Sequence, residues 1–375
     1  MALTFTATNY RVLKELRWSP AGVCLLTGAN GAGKTTTLSA FQFLAALFQR
    51  GHEAALGSQG GLNFRRLGAP PDEPVTFSLS VGDLTWILRF PMSAEGLKGA
   101  YGEELRRGDE VLLRAGMFQD EWFLGNQRLP RDEVRCCLRV LWDRGETPEL
   151  APLVSQVNNV RVHLSYWLNQ AQRVEPVTGR DSFLHYTGRN LWSVLANWKA
   201  APMRYSGQYD WVLQEARRAF PGLIGTLEFD RGIPYFFAPD AEDAAEGLLP
   251  DRMADGLLTG LMHLTAIAGA SRGALLAFDE MENQLHPHAI RSILHAMRQR
   301  AEEKDLTIIL STHSPVLMNA FGDSPDDLFV LHRGPSVQPV SLTTLHSEDA
   351  LAQVTIGDLY DQLDFAAPDL ARWKR

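Results

Sequence analysis

One short segment constrains this chain more than any other. Gly28-Ala29-Asn30-Gly31-Ala32-Gly33-Lys34-Thr35 satisfies every fixed position of the pattern G-x-x-x-x-G-K-[ST]. It stands between an apolar run, 22–27, and a stretch, 33–50, whose residues Leu38, Phe41, Leu44, Ala45 and Phe48 recur at helical spacing until Gly51. A strand, a glycine-rich turn and a helix in that order aim successive backbone N–H groups at phosphate oxygens, beside the positive end of a helix. On this reading Gly28, Asn30, Gly31, Ala32, Gly33 and Thr36 surround the phosphates of a nucleotide. Lys34 reaches the β- and γ-phosphates, and the Thr35 hydroxyl ligates Mg²⁺. Average residue frequencies make a chance match in a chain this long roughly a 1 % event.

The remaining pattern predicts an α/β fold. Residues 4–8, 22–27, 75–81 and 84–90 are rich in β-branched and aromatic residues, with a turn at Val81-Gly82-Asp83. Between 96 and 235 the pattern is more mixed. A hairpin is expected over 121–129, turning at Gly125-Asn126, and helices over 131–144, 160–173, 190–199 and 210–220. Further on come a helix at 255–268, an apolar strand at 274–278, a helix at 288–303, and strands at 306–310 and 328–331. Unbroken apolar strands alternating with helices indicate a buried, largely parallel sheet.

Two of those strands end in chemistry. Leu275-Leu276-Ala277-Phe278 runs into Asp279-Glu280, and in a parallel sheet ligands sit at the carboxyl ends of the strands. Asp279 suits the outer sphere of Mg²⁺, and Glu280 suits orienting and deprotonating an attacking water. The next apolar strand ends in Ser311-Thr312-His313. One helix and a return strand separate His313 from Asp279. The histidine therefore lies on the strand neighbouring the carboxylates, where a neutral imidazole can meet the γ-phosphate.

Composition narrows the class. Hydrophobic residues make up 45 % of the 375, which excludes a mostly disordered chain. The net charge of −8 argues against a nucleic-acid coat protein. Three cysteines (Cys24, Cys136, Cys137) cannot form a disulfide framework, so a reducing, cytoplasmic setting is expected. No signal-peptide layout and no apolar run of membrane-spanning length is present.

Spacing selects among phosphate-loop proteins. Lys34 and Asp279 lie too far apart for a compact GTPase-like or RecA-like core, which implies an interrupted sheet. The order of phosphate loop, insertion, Gly256 ahead of a helix, acidic pair and strand-end histidine resembles ATP-binding-cassette heads. Among these it resembles the RecF/SMC/OLD-like ATPases, with an AAA-type phosphate loop. Asn9-Tyr10-Arg11 is similar to that family's opening Asn-aromatic-Arg, and Gly188-Arg189-Asn190-Leu191-Trp192-Ser193-Val194-Leu195 to its internal G-x-N-L-x-x-V-L element. The run from Asp279 to Pro287 resembles its carboxylate-to-D-loop segment, and Ser311-Thr312-His313-Ser314-Pro315 its switch-histidine segment.

The resemblance implies an ATPase head with a mixed, largely parallel sheet, formed by 1–95 and 236–345. A mainly helical insertion, 96–235, would carry partner or nucleic-acid recognition, and 346–375 would be a tail. It implies ATP and Mg²⁺ as cofactors, with Lys34, Glu280 and His313 catalytic, Thr35 and Asp279 on the metal, and Arg11 at the nucleotide. Ala254-Asp255-Gly256 takes the place of the family signature, which in relatives caps the γ-phosphate of ATP on the opposite subunit. Asp255 and Gly256 would thus serve a homodimer that sandwiches two nucleotides. Ala254 replaces the usual serine and removes one hydroxyl donor, a loss of about 1 kcal/mol. Gln59 is the weak candidate for the Q-loop.

The activity implied is Mg²⁺-dependent ATP hydrolysis coupled to head-to-head dimerisation. That cycle would control a protein partner, encoded nearby, in DNA repair or anti-phage defence. One alternative is direct action on DNA in the manner of RecF, through Arg65-Arg66, Arg106-Arg107 and the helical face Arg131, Arg135, Arg139. Another is the nucleotide-binding subunit of a transporter, against which the long separation and altered signature argue. The residues after His313 are too few for the Toprim nuclease domain of OLD proteins.

Overall fold

The computed structural model describes residues 3–58, 64–70, 72–93, 96–97, 101–116, 119–124, 127–129, 134–145, 147–205, 207–332, 338–347, 351 and 354–363. In the strand Leu3–Tyr10, Leu3, Phe5 and Ala7 are buried and the residues between them half-buried. This period of two marks a sheet with one face on the core. Val75–Val81 and Leu84–Phe90 repeat it. With Leu13–Trp18, Gly102–Arg107, Glu110–Gly116, Gln119–Leu124 and Gln127–Leu129 they form an eight-stranded antiparallel sheet.

The second sheet is built differently. Its spatial order is Val160–His163, Leu275–Phe278, Thr307–Ser311, Val23–Gly28, Leu328–Leu331, Pro339–Ser341. The first five strands are parallel and the last is antiparallel. Alternate side chains of these apolar strands enter two different cores. Leu276, Phe278, Ile308, Leu310, Val23 and Leu25 belong to one, and Leu275, Ala277, Ile309, Cys24 and Leu26 to the other.

The helix Lys34–Arg50 lies between the two sheets, which explains why most of its length is buried. Phe41 packs on Phe5 of the antiparallel sheet with ring centroids 4.3 Å apart, and Phe43 on Phe77 at 5.1 Å. Aromatic pairs of this kind add about 0.5–1.5 kcal/mol each beyond their burial. The opposite face of the parallel sheet carries the helices Leu191–Ala200, Gln208–Ala219, Asp255–Ala268 and Pro287–Lys304.

Two expectations change. The segment expected as a helix over 160–173 is the edge strand Val160–His163 of the parallel sheet, followed by the short helix Leu168–Ala171. Val160, Val162 and Leu164 alternate with polar residues, so the strand period outweighs the helical one. The region 96–235 is also not a helical unit from its start. After Gly96–Leu97, which pairs with Met92–Ser93 in a separate ribbon, its strands from Gly102–Arg107 to Gln127–Leu129 continue the antiparallel sheet, and among the described residues helices begin only at Cys137–Arg144. That helix starts where the buried Glu103 carboxylate accepts from the backbone N–H of Cys137 (2.7 Å) and Leu138 (2.8 Å). Arg131, Gln59 and the turn Gly125-Asn126 lie outside the described residues. The three cysteines are free and buried, and no described helix is long and apolar enough to cross a membrane.

Candidate functional site

The phosphate loop is wedged between strand ends. Gly28 has φ 146°, and a Cβ there would stand 2.3 Å from the Leu331 carbonyl oxygen of the neighbouring strand. Gly33 has φ 112°, and its Cβ would stand 2.8 Å from Leu13 Cδ2. Only glycine fits either place. From Gly33 the chain enters the helix Lys34–Arg50.

Lys34 is buried, and its ammonium donates to Gly28 O at 2.8 Å, Ala29 O at 3.4 Å and His313 Nε2 at 2.7 Å. Burial pulls its pKa down to about 8, against the opposing charges of Asp279, Glu280 and Glu282. His313 also falls below the usual imidazole value, first through burial and then through the Lys34 charge. Its ring is neutral at pH 7, as an acceptor from an ammonium must be.

The acidic pair meets the same point. Thr35 Oγ1 donates to Asp279 Oδ2 at 2.7 Å, and Ser311 Oγ donates to Asp279 Oδ1. The Ser311 hydroxyl also accepts from the Glu280 N–H at 3.0 Å. Glu280 holds φ 48°, a left-handed conformation uncommon for a non-glycine residue, and Asn283 Nδ2 donates to its Oε2 at 2.9 Å. Glu282 Oε1 accepts from Thr312 Oγ1 at 2.6 Å and from the His313 N–H at 3.1 Å, which ties the two strand ends together. Thr35 and Asp279 supply one hydroxyl and one carboxylate, the sparse oxygen set that holds Mg²⁺ alongside phosphate and water.

Thus Lys34, Thr35, Asp279, Glu280 and His313 converge at the carboxyl ends of three parallel strands. Asn30 and Gly31 are exposed at the rim of the loop, Ala32 is buried, and Thr36 is half-buried in the first helical turn. Arg11, at φ 51° in the turn after the first strand, reaches Ser39 Oγ on the phosphate-loop helix at 3.5 Å. Asp255 and Gly256 lie elsewhere. Asp255 accepts from Gln172 Nε2 at 2.8 Å, and a Cβ on Gly256 would stand 2.4 Å from the Gln284 carbonyl oxygen. Ala254 is the N-cap of the helix Asp255–Ala268 and gives it no side-chain cap. Sequence reasoning missed Ser311, Glu282 and Gln172 as contact residues, although the first two sit inside the quoted motifs.

Beneath the acidic pair lies a cavity of about 210 Å³ lined in part by His163, Tyr166, His263 and Glu280. His263 Nε2 donates to Met281 O at 3.1 Å, and Tyr166 OH lies 3.2 Å from its Nδ1. Burial pushes His263 down to about 4. It pushes His163 down to about 3, with the charge of His263 adding to the effect. Both folded-state values lie below that of an unfolded histidine, so the unfolded chain takes up protons on acidification that the folded chain refuses. The stability from these groups is complete above pH 6.5 and declines as the pH falls toward 4. At pH 5 the loss is about 2 kcal/mol per imidazole. Thermal melts at pH 7 and pH 5 should show a lower midpoint at pH 5, and His263→Gln should shrink the difference. Equal midpoints would refute this account.

Residues 240–319 match the family described as "AAA domain, putative AbiEii toxin, Type IV TA system". No curated protein matches the sequence. Among solved structures, an Smc head bound to the C-winged helix domain of ScpA superposes with a TM-score of 0.53 at 12 % identity, covering 92 % of this chain and 99 % of that one. An Smc head with an extended coiled coil, bound to the C-terminal domain of ScpA from Pyrococcus furiosus, gives 0.49 at 12 % identity over 94 % and 98 %. At this identity the first comparison establishes the fold. The family match lies over the half of the site that faces the phosphate loop. The chain therefore has the fold of an Smc head, with a phosphate loop at residues 28–35.

Proposed function

We propose that the chain binds ATP with Mg²⁺, hydrolyses it, and uses the bound state to close two heads on each other and control a protein partner. The observation that carries this is the convergence of Lys34, Thr35 and Asp279, with Thr35 and Asp279 2.7 Å apart and Glu280 beside them. Loop N–H groups and Lys34 would hold the phosphates, and Thr35 with Asp279 would hold Mg²⁺. When bound, that ion supplies positive charge to the β- and γ-phosphate oxygens. Glu280 would orient the attacking water and accept its proton, held for the task by Asn283 and Ser311.

Dimerisation is supported by the family signature's counterpart, Ala254-Asp255-Gly256. It has no hydrogen bond to its own phosphate loop among the described residues and is held by Gln172 and the Gln284 turn. A protein partner is supported by the Smc head that superposes at a TM-score of 0.53, which is bound to the C-winged helix domain of ScpA. The AbiEii-type family description favours a defence setting over repair. Direct action on DNA is less favoured, because several of the arginines proposed for it are engaged. Arg135 and Arg139 both pair with Asp143, Arg106 with Glu104, and Arg65 donates to Ala69 O.

Sedimentation of the chain with and without a non-hydrolysable ATP analogue and Mg²⁺ tests the cycle. The mass should double with nucleotide. A monomer that binds the analogue would overturn the sandwich, and no binding at all would overturn the nucleotide site.

A further inference from the structure

The residues after 345 carry no recognisable motif, yet one of them reaches the reaction centre. In the helix Ile356–Leu363, Ile356 and Leu359 are buried, and the Gly357 N–H donates to Asn319 Oδ1 at 2.6 Å. Asn319 ends the short helix Pro315–Asn319, which leaves the strand end that carries His313. This docking places the Tyr360 hydroxyl 3.3 Å from His313 Nδ1, while Lys34 Nζ lies 2.7 Å from Nε2 on the other side of the ring.

The chemistry of the two neighbours sets the tautomer. An ammonium only donates, so Nε2 accepts, and the single proton of the neutral ring sits on Nδ1 and is given to the Tyr360 oxygen. A γ-phosphate oxygen only accepts. To meet it, Nε2 must carry the proton, and Nδ1 becomes the bare acceptor. Whatever stands beside Nδ1 must then donate where before it accepted. A hydroxyl does both by rotating about one bond, whereas a carboxylate or a backbone carbonyl would hold the ring as Nδ1–H.

We propose that Tyr360 is the positioning residue of His313, accepting from Nδ1–H while Lys34 occupies Nε2 and donating to Nδ1 once Nε2–H faces the γ-phosphate. The ring gains and loses no net proton, since one leaves Nδ1 for solvent as another arrives at Nε2. The hydroxyl thereby ties the seating of the C-terminal helix to the nucleotide state. The inference rests on the ATP reading of the site.

The test uses the full chain and Tyr360→Phe, which keeps the ring and removes the hydroxyl. Both proteins should bind a non-hydrolysable ATP analogue with Mg²⁺ with affinities within about twofold. At saturating ATP the variant's kcat should fall about five- to tenfold, the weight of one hydrogen bond in a partly buried network, with KM little changed. Imidazole nitrogen-15 spectra, with His313 assigned by His313→Gln, should show Nδ1–H passing to Nε2–H when the analogue binds the parental chain. In Tyr360→Phe the Nε2–H form should still arise against the phosphate, but the bare Nδ1 should resonate as a ring nitrogen that accepts no hydrogen bond. Parental turnover and a parental Nδ1 resonance in the variant would overturn the proposal. If the variant does not fold, the parental spectrum still decides, because Nδ1–H retained with the analogue bound sinks the exchange. A parental chain that binds no analogue would instead overturn the ATP reading and this inference with it.

Discussion

With Glu280 replaced by Gln, the chain should bind ATP as before and hydrolyse it about 10²- to 10⁴-fold more slowly, the range lost with a general base. The substitution preserves shape, and the backbone N–H that fixes this residue to Ser311 is untouched. What disappears is the capacity to take a proton from water. A nucleotide that is held and not consumed should also hold the closed state, so the variant should accumulate a dimer in ATP-Mg²⁺ where the parental chain cycles. Steady-state phosphate release together with sedimentation checks both halves. Hydrolysis at the parental rate would show that another group takes the proton.

Lys34→Ala should fail at an earlier step. The ammonium sits in a buried slot between Gly28 O, Ala29 O and His313, the only lysine in the loop. A charged hydrogen bond in such a site is worth about 1.5–3 kcal/mol, so ATP affinity should fall about 10- to 100-fold. Titration calorimetry with a non-hydrolysable analogue reads this directly. The two variants separate binding from chemistry: one keeps affinity and loses turnover, the other loses affinity first. Unaltered affinity in Lys34→Ala would remove the phosphate-loop reading.

Much of this site is legible in the sequence because its chemistry demands residue types at close range. Gly28 and Gly33 occupy places where a Cβ would collide, so the loop can be spelled in few ways. Asp279-Glu280 and His313 are legible because each closes an unbroken apolar run, and such runs belong to strands buried on both faces. Val160–His163 was hidden because its four residues offer too short a window to separate a period of two from one of 3.6. The bonds from Ser311 to Asp279 and from Glu282 to Thr312 join residues about thirty positions apart, and only the sheet order brings them together. Tyr360 has no motif at all. Its place follows from how Ile356 and Leu359 pack, which is a property of the folded core and not of local pattern.

The order of strands in the parallel sheet also bears on how such a molecule comes into being. Val23–Gly28, which leads into the phosphate loop, has Thr307–Ser311 on one side and Leu328–Leu331 on the other. During synthesis this strand therefore waits for neighbours that lie some 280 to 300 residues further along the chain, about the separation of residues 25 and 328. Closing contacts so distant in sequence is slow, and the unpaired apolar strand is exposed meanwhile to wrong partners. The strand that leads into the phosphate loop thus gains both neighbours only once residues 307–331 have been made.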